Sequence, residues 1–284
     1  MKRRSRQFNL SSFSNNSTSL LFPQHEIKNM QYTSLIMSNG PLTAQTTNII
    51  CNTLFFLRSI ILYDTREVGP VRKVVMNLKT NVIAWNPMEA MVFTAANEDY
   101  NLYTYDLRRL DRPVNVLMDH VGAVVDVDYS PTGRELVSGS YDKTVRLWDA
   151  AQGRSRDIYH TKRMQRLSGV AWSKDNKFII TASDEMNIRL WKARASEKVG
   201  IMRDRERVAL QYTEKLKEKY GQHPQISRIA RHRQVPRHVK SARAQNQAIK
   251  DGAKRKEANK RKHSKPGSVP YVSERENHTI DEME

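Results

Sequence analysis

Hydrophobic and polar residues alternate along the middle of the chain with the two-residue period of half-buried strands. The alternation is clear over residues 124–129 and again over 144–148. Turn-forming residues separate such runs, with Ser-Pro-Thr-Gly at 130–133 and Tyr-Asp-Lys at 141–143. The pattern predicts short strands joined by tight turns, arranged as four-stranded antiparallel sheets.

Beyond Trp191 the two-residue period stops and helical spacing replaces it. Val208, Tyr212 and Leu216 lie four residues apart, which predicts a helix over residues 197–220. A short helix is predicted over 226–233 and a longer one over 239–262, with prolines and glycines between and after them. The C-terminal part of the chain is therefore predicted to be α-helical.

Three segments of the strand-rich region repeat, at residues 81–106, 123–149 and 168–192. In each, an aromatic residue of the first strand is matched by one further on: Trp85 with Tyr105, Tyr129 with Trp148, and Trp172 with Trp191. The units are offset by about 43 residues, a period typical of WD repeats, in which four strands form one blade of a β-propeller. A half unit at 59–66 matches the last strand of a preceding repeat. We predict an all-β WD-repeat β-propeller, partial and of about three blades, followed by an α-helical basic C-terminal tail.

The sequence divides into three segments. Residues 1–55 begin Ser/Asn-rich and are predicted to be disordered or atypical, residues 56–195 form the partial propeller, and residues 196–284 form the basic helical domain. Closed propellers have about four to eight blades, so three units and one strand are too few. We expect a fragment or alternative product of a longer propeller protein. The other interpretation is that a second chain completes the ring.

The middle repeat carries a set of polar residues that WD repeats place in a buried, hydrogen-bonded tetrad. His120, Asp142, Trp148 and a serine, Ser138 or Ser140, make up this set, and Asp119 replaces the glycine that usually precedes the histidine. Serine, histidine and aspartate also form hydrolytic triads. However, no G-x-S-x-G elbow is present, and buried polar groups inside a blade need partners. The tetrad of His120, Ser138, Asp142 and Trp148 is therefore assigned a structural role.

Charge indicates the class of partner. The net charge of +18 favours polyanions, nucleic acid first and acidic membranes second. The single cysteine, Cys51, excludes an internal disulfide and a cysteine-based zinc site. The N-terminus lacks the apolar core of a secretory signal, and the apolar run at 49–63 is too short to span a bilayer. These features favour a cytoplasmic or nuclear protein without a membrane partner.

The cations concentrate in the tail. Residues 226–266 contain about fourteen Lys or Arg against two acidic residues, Asp251 and Glu257. A basic helix of this kind can lie along an RNA phosphate backbone. A nuclear import signal and a merely solvated helix face are the alternatives. The predicted RNA- or RNP-binding residues are Arg228, Arg231, Arg233, Lys254, Arg255, Lys256, Lys260, Arg261, Lys262 and Lys265.

Nothing in the sequence indicates catalysis. It contains no phosphate-binding loop, no metal-ligand spacing and no nucleophile elbow. We predict a binding protein with no catalytic residues, no metal, no cofactor and no small-molecule substrate.

Long strings of the chain resemble a known family. LKEKYGQHPQISRIARHR (216–233), KRKEANKRKHSKPGSVPYVSE (254–274) and WNPMEAMVFTAANEDYNLYTYD in the first repeat are similar to the Sof1-like WD-repeat proteins. The resemblance implies a nucleolar scaffold of the small-subunit processome, acting in 18S rRNA processing. Its implied partners are pre-rRNA and the proteins of the U3 box C/D snoRNP. The family's N-terminal blades have no counterpart in residues 1–55.

The same family is similar to substrate receptors of cullin-4 ubiquitin ligases, which is the alternative function. Those receptors carry Trp/Tyr-Asp-x-Arg at the ends of consecutive repeats, and this chain has Tyr-Asp-Thr-Arg at 63–66 and Tyr-Asp-Leu-Arg at 105–108. The resemblance implies that Asp64, Arg66, Asp106 and Arg108 bind the ligase adaptor, with the arginines bonding its carboxylates. The alternative is that the aspartates only complete a turn and the arginines are solvated.

Overall fold

The computed structural model of this chain describes residues 49–53, 58–64, 69–230 and 232–283. These residues belong to one of the chain's two compact units, Thr33–Glu284. The other unit, Met1–Tyr32, lies outside the described residues, and so does most of the segment 1–55 expected to be disordered or atypical. Its described residues 49–53 form a strand. Two of the predicted site residues, Arg66 and Arg231, also lie outside them.

Strands of the described region form four antiparallel sheets, numbered 1 to 4 along the chain. Sheet 1 contains β1 (Ile49–Thr53), β2 (Ser59–Asp64), β3 (Pro70–Met76) and the C-terminal strand β15 (Thr279–Met283). Sheet 2 contains β4 (Thr80–Trp85), β5 (Val92–Asn97), β6 (Leu102–Asp106) and β7 (Asn115–Leu117). Sheet 3 contains β8 (Val124–Tyr129), β9 (Glu135–Ser140), β10 (Val145–Asp149) and β11 (Ser155–Tyr159). Sheet 4 contains β12 (Leu167–Trp172), β13 (Phe178–Ser183) and β14 (Asn187–Lys192).

Three helices follow sheet 4 in the described residues: α1 (Asp204–Tyr220), α2 (Pro224–Ala230) and α3 (Arg237–His263). The helix α1 begins at Asp204 rather than at residue 197, because Arg203 is extended and the chain turns at Gly200, whose φ of +116° favours glycine. No residue of α1 or α2 is buried. The apolar spacing in α1 therefore predicted a helix correctly without marking a packed face.

Each gap between neighbouring sheets is filled by its own hydrophobic cluster. Leu147 of β10 and Val170 of β12 pack together between sheets 3 and 4. Trp148 of the same strand β10 packs instead between sheets 2 and 3. Because successive side chains of a strand point to opposite faces, one strand supplies two clusters. Sheets of WD repeats packed in this way, followed by three helices, confirm the predicted fold class.

Sheet 1 differs from the expectation of a single strand at residues 59–66. The strand β2 pairs with β1 on one side and β3 on the other, so the sheet reaches beyond the expected propeller boundary at residue 56. The strand β15 pairs with the edge of β3 that β2 does not occupy. This strand lies at the end of the segment 196–284, which was expected to be helical. This pairing joins residues about 200 positions apart, and no local sequence pattern indicates it.

Two carboxylates connect the first strands of sheets 3 and 4. Asp126 Oδ2 accepts a hydrogen bond from Val170 N at 2.7 Å, and Asp128 Oδ2 accepts one from Trp172 N at 2.6 Å. Burial raises the pKa of both carboxyl groups, and the backbone donors partly offset that effect. The two bonds fix how β8 and β12 face each other.

The predicted tetrad residues lie together in sheet 3. His120 Nδ1 is 2.8 Å from Asp142 Oδ2, and His120 Nε2 is 2.7 Å from Ser138 Oγ. Trp148 Nε1 donates to the same Ser138 oxygen at 2.7 Å. Because a carboxylate only accepts and an indole N–H only donates, Nδ1–H donates to Asp142 and the serine hydroxyl donates to Nε2. The other candidate serine, Ser140, donates to Gly122 O at 2.9 Å instead.

The tetrad holds a neutral histidine beside an ionised aspartate. Burial lowers the pKa of the His120 imidazole, against the opposing effect of Asp142. Burial alone would raise the pKa of Asp142, but the interaction with His120 and the hydrogen bond from Thr144 lower it well below its usual range. Near neutral pH, His120 is therefore a neutral imidazole and Asp142 a carboxylate, which is consistent with a structural role.

Acid should destabilise the fold through this histidine. Native His120 takes up a proton at lower pH than an unfolded histidine, whose pKa is 6.5. The contribution of His120 to the free energy of unfolding is therefore fully present above about pH 6.5 and falls as the pH is lowered further. For one group the loss is at most about 1.4 kcal/mol per pH unit. Urea unfolding at pH 7.5 and 5.5 measures the loss. It should be shallower in His120→Gln, while the exposed-residue control His223→Gln keeps the wild-type dependence. Equal pH dependence in all three proteins would contradict the assignment.

Removal of the C-terminal strand should destabilise sheet 1. Deleting residues 279–284 removes four paired positions of β15 and leaves the edge of β3 open, at a cost on the order of 2–4 kcal/mol. Hydrogen exchange of the β3 amides, followed by mass spectrometry, should accelerate. Asp281→Asn, which alters charge but keeps the backbone pairs, is the control. Unchanged exchange in the deletion would show that β15 contributes no stability.

Candidate nucleic-acid interface

The helix α3 lies across one end of the sheets. His238 Nε2 donates to the carbonyl oxygen of Asp142 at 3.2 Å, and the next residue, Val239, is buried. Just before the helix, His160 Nε2 donates to the carbonyl oxygen of Gln234 at 3.1 Å. We call the end of the sheets that carries Asp142 the α3 end.

Asp119 is the main anchor of α3. The carboxylate is buried and accepts hydrogen bonds from Ser155 N and Ser155 Oγ, both at 2.8 Å. Its Oδ1 lies 3.0 Å from Arg243 Nη2 of α3, and its Oδ2 lies 3.8 Å from Nη1 of the buried Arg146 guanidinium. From the sequence alone, Asp119 was notable only as a departure from the usual glycine. The structure shows that a carboxylate at this position binds the tail.

The segment after α3 returns to sheets 1 and 2. The His278 ring lies 4.8 Å from the Tyr103 ring, and its Nδ1 is 3.6 Å from Asp99 Oδ2. Burial lowers the pKa of His278, against the opposing effect of Asp99. Thr279, the first residue of β15, pairs with Met76 of β3, and its Oγ1 lies 3.2 Å from the hydroxyl of Tyr105. The tail therefore contacts sheets 3, 2 and 1 in turn.

Contacts within the tail divide the predicted RNA-binding cations of α3 into two groups. Lys254 Nζ lies 3.5 Å from Glu274, and the Arg261 guanidinium lies 4.9 Å from the centre of the Tyr271 ring and 3.4 Å from Glu257. Arg255 Nε donates to the backbone of its own helix, at the Asp251 carbonyl. These three cations are at least partly engaged in holding the tail together.

The other α3 cations are available to a partner. Lys256, Lys260 and Lys262 are exposed, and within the described part of the chain their ammonium groups make no ion pair or hydrogen bond. All three lie in the last turns of α3, where the helix dipole favours positive charge. They give α3 a cluster of positive charge that faces solvent and is not paired with any other described residue.

The remaining predicted cations lie on other elements. Arg228 is exposed on α2, and Arg233 is half-buried with its guanidinium bonded to the carbonyl oxygens of Ala230 and His232. Lys265 is exposed just after α3. The predicted RNA-binding residues therefore do not form one surface. Most of those without an ion pair or hydrogen bond among the described residues lie on α3.

The predicted adaptor-binding residues lie at the other end of the sheets. The strand β6 runs from the α3 end and finishes at Asp106, so Arg108 lies at the end opposite α3. Asp106 Oδ1 accepts a hydrogen bond from Arg108 N at 3.0 Å, and the arginine side chain points into an exposed turn. Asp64 is the last residue of β2, in the adjacent sheet. The aspartate completes the turn and leaves the arginine exposed; adaptor binding by Arg108 stays a prediction.

The described residues contain neither a membrane-spanning helix nor a metal-binding cluster. None of their helices is both long and apolar enough to cross a membrane. They hold no group of three or more His, Cys, Asp or Glu side chains placed to bind a metal ion.

The tail coincides with a known domain. Residues 193–279 match the family description "Sof1-like domain". We use the name Sof1-like domain for the residues that give this match. Residues 111–149 and 158–192 match "WD domain, G-beta repeat", in agreement with sheets 3 and 4. The Sof1-like domain thus begins where sheet 4 ends and includes the three helices and the start of β15.

Relatives that match about four fifths of this chain carry two names. The chain is 60% identical over 227 residues to "DDB1- and CUL4-associated factor 13" of Danio rerio, covering 80% of this chain and 51% of that protein. It is 56% identical over 223 residues to the Homo sapiens protein of that name, covering 78% and 50%. It is 49% identical over 222 residues to "Protein SOF1" of Saccharomyces cerevisiae, covering 78% and 45%. The chain therefore spans about half the length of the curated relatives it matches.

Proposed function

We propose that this chain is a non-catalytic scaffold of ribosome biogenesis, acting in small-subunit (18S) rRNA processing in the nucleolus. The propeller sheets dock proteins of the box C/D snoRNP, and the Sof1-like domain contacts pre-rRNA. The observation that carries the proposal is the free cationic cluster of Lys256, Lys260 and Lys262 on a helix fixed to the sheets. Its support is the Sof1-like domain match together with the similarity to yeast Protein SOF1.

A fixed basic helix suits RNA for a physical reason. Lys or Arg side chains that neutralise phosphates release condensed counterions, which drives binding. The anchoring bond of Arg243 to Asp119 and the burial of Val239 set the position of α3 before RNA arrives. Less conformational entropy is then lost on binding than with a free basic segment.

Charge reversal on α3 should release RNA. The triple variant Lys256→Glu, Lys260→Glu and Lys262→Glu removes three phosphate contacts, which should lower the slope of log K against log salt by about 2. Crosslinking to pre-rRNA and box C/D snoRNA in cells, with binding of an RNA oligonucleotide in vitro, measures the loss. The control reverses Arg134, Arg154 and Lys174, which are exposed at the opposite end of the sheets and give the same charge change. Equal losses in both variants would contradict a specific role for α3.

The second candidate function is substrate reception for a cullin-4 ubiquitin ligase. The exposed Arg108 and the relatives named as DDB1- and CUL4-associated factors favour it. Because Arg108 and α3 lie at opposite ends of the sheets, an adaptor bound at Arg108 would leave the α3 lysines accessible.

Arg108→Ala should weaken binding to the ligase adaptor. Loss of one charge-assisted contact should cost about 1–3 kcal/mol, without changing the melting temperature, since the side chain is exposed. Titration calorimetry with the purified adaptor measures the change. Arg112→Ala, an exposed arginine in the same connection, is the matched control. Binding of Arg108→Ala at wild-type strength would argue against this function.

A further inference from the structure

Four cations converge at the point where sheet 4 meets the Sof1-like domain. The four cations are Lys177, Lys192, Arg194 and Lys198. Together with Glu197, Val199 and Gly200 they line a recess of about 130 Å³. Lys177 lies in the turn between β12 and β13, Lys192 ends β14, and the other two follow in the Sof1-like domain. We call this feature the cationic recess.

Backbone geometry holds the recess in place. Ala193 N donates to the carbonyl oxygen of Lys177 at 2.8 Å, and Ala193 is buried, so the two lysine-bearing segments are fixed side by side. The left-handed φ of Gly200 turns the chain back after Val199 and closes the far wall.

The positive charge of the recess is only partly neutralised. Glu197 is the one acidic residue in its lining. Lys192 Nζ bonds the Glu197 backbone carbonyl at 3.1 Å, Lys198 Nζ lies 2.5 Å from Glu206, and Arg194 lies 3.8 Å from Glu135. The Lys177 ammonium makes no ion pair or side-chain hydrogen bond within the described residues, and the Arg194 side chain is 66% exposed. Like charges held close together repel one another unless an anion lies between them.

We propose that the cationic recess binds a phosphate group of an RNA backbone, a second RNA contact beyond α3. The volume of the recess is about four times that of one water molecule, which is enough for the oxygen atoms of one phosphate group. The recess lies at the end of β14 opposite α3, and the Sof1-like domain runs from it, through exposed cations of α1 and α2, to α3. A polymer of phosphates follows such a path, whereas a phosphopeptide also needs a groove for its backbone and side chains. The proposal rests on the proposed contact of this chain with RNA.

Lysine reactivity tests the recess directly. The full chain is treated with an amine-acylating reagent, and the modification of each lysine is followed by mass spectrometry. A single-stranded RNA oligonucleotide should protect Lys177 and Lys192 at least threefold, and inorganic phosphate should protect them at higher concentration. Lys174, exposed in the same turn but outside the recess, should stay unprotected. Equal reactivity of all three lysines with and without RNA overturns the proposal, and so does protection by a phosphopeptide but not by RNA.

A charge reversal separates this contact from that of α3. Lys177→Glu should weaken binding of the oligonucleotide about fivefold and lower the salt slope by about 0.7–0.9, the value for one lost phosphate contact. Lys174→Glu carries the same charge change three positions away and should bind RNA like the wild type. If Lys177→Glu behaves like Lys174→Glu while the α3 variant loses RNA, the recess is overturned and the proposed function stands. If neither Lys177→Glu nor the α3 variant loses RNA, the RNA contact itself fails.

Discussion

Burial of apolar side chains between neighbouring sheets is the constraint on which this structure depends. Each sheet is apolar on both faces, so it needs a neighbour on each side to keep its side chains from water. The bonds from Asp126 and Asp128 to β12 add direction to that packing, because they hold the first strands of sheets 3 and 4 in one relative position. Where no neighbour is described, beyond sheet 4, Ile188 and Leu190 are largely exposed.

The Sof1-like domain is bound to the sheets by polar contacts more than by a core. Val239 is the buried residue of α3, whereas Asp119, Asp99 and the Asp142 carbonyl supply the acceptors that fix Arg243, His278 and His238. Acidic and carbonyl groups at the α3 end thus receive the basic tail. Cations on α3 and in the cationic recess that make no such contact with the sheets carry positive charge that a partner can bind.

Two ends of the same sheets therefore present different chemistry. The α3 end is covered by the Sof1-like domain, while the opposite end carries Arg108 and the cationic recess at the base of sheet 4. Arg108 and the α3 lysines therefore lie on separate surfaces of the described residues.

Local pattern determined much of this protein from sequence alone. Alternation and the repeat of about 43 residues gave the strands of sheets 2 to 4, helical spacing gave α1 to α3, and the tetrad residues could be chosen before any contact was known. Only the tertiary structure decided that β15 pairs with β3, that Asp119 anchors Arg243, and which α3 lysines remain free. It also brought Lys177 together with Arg194 and Lys198. The physical reason is sequence separation: periodicity reports which face of an element is apolar, whereas an ion pair or strand edge joins distant residues that no local pattern relates.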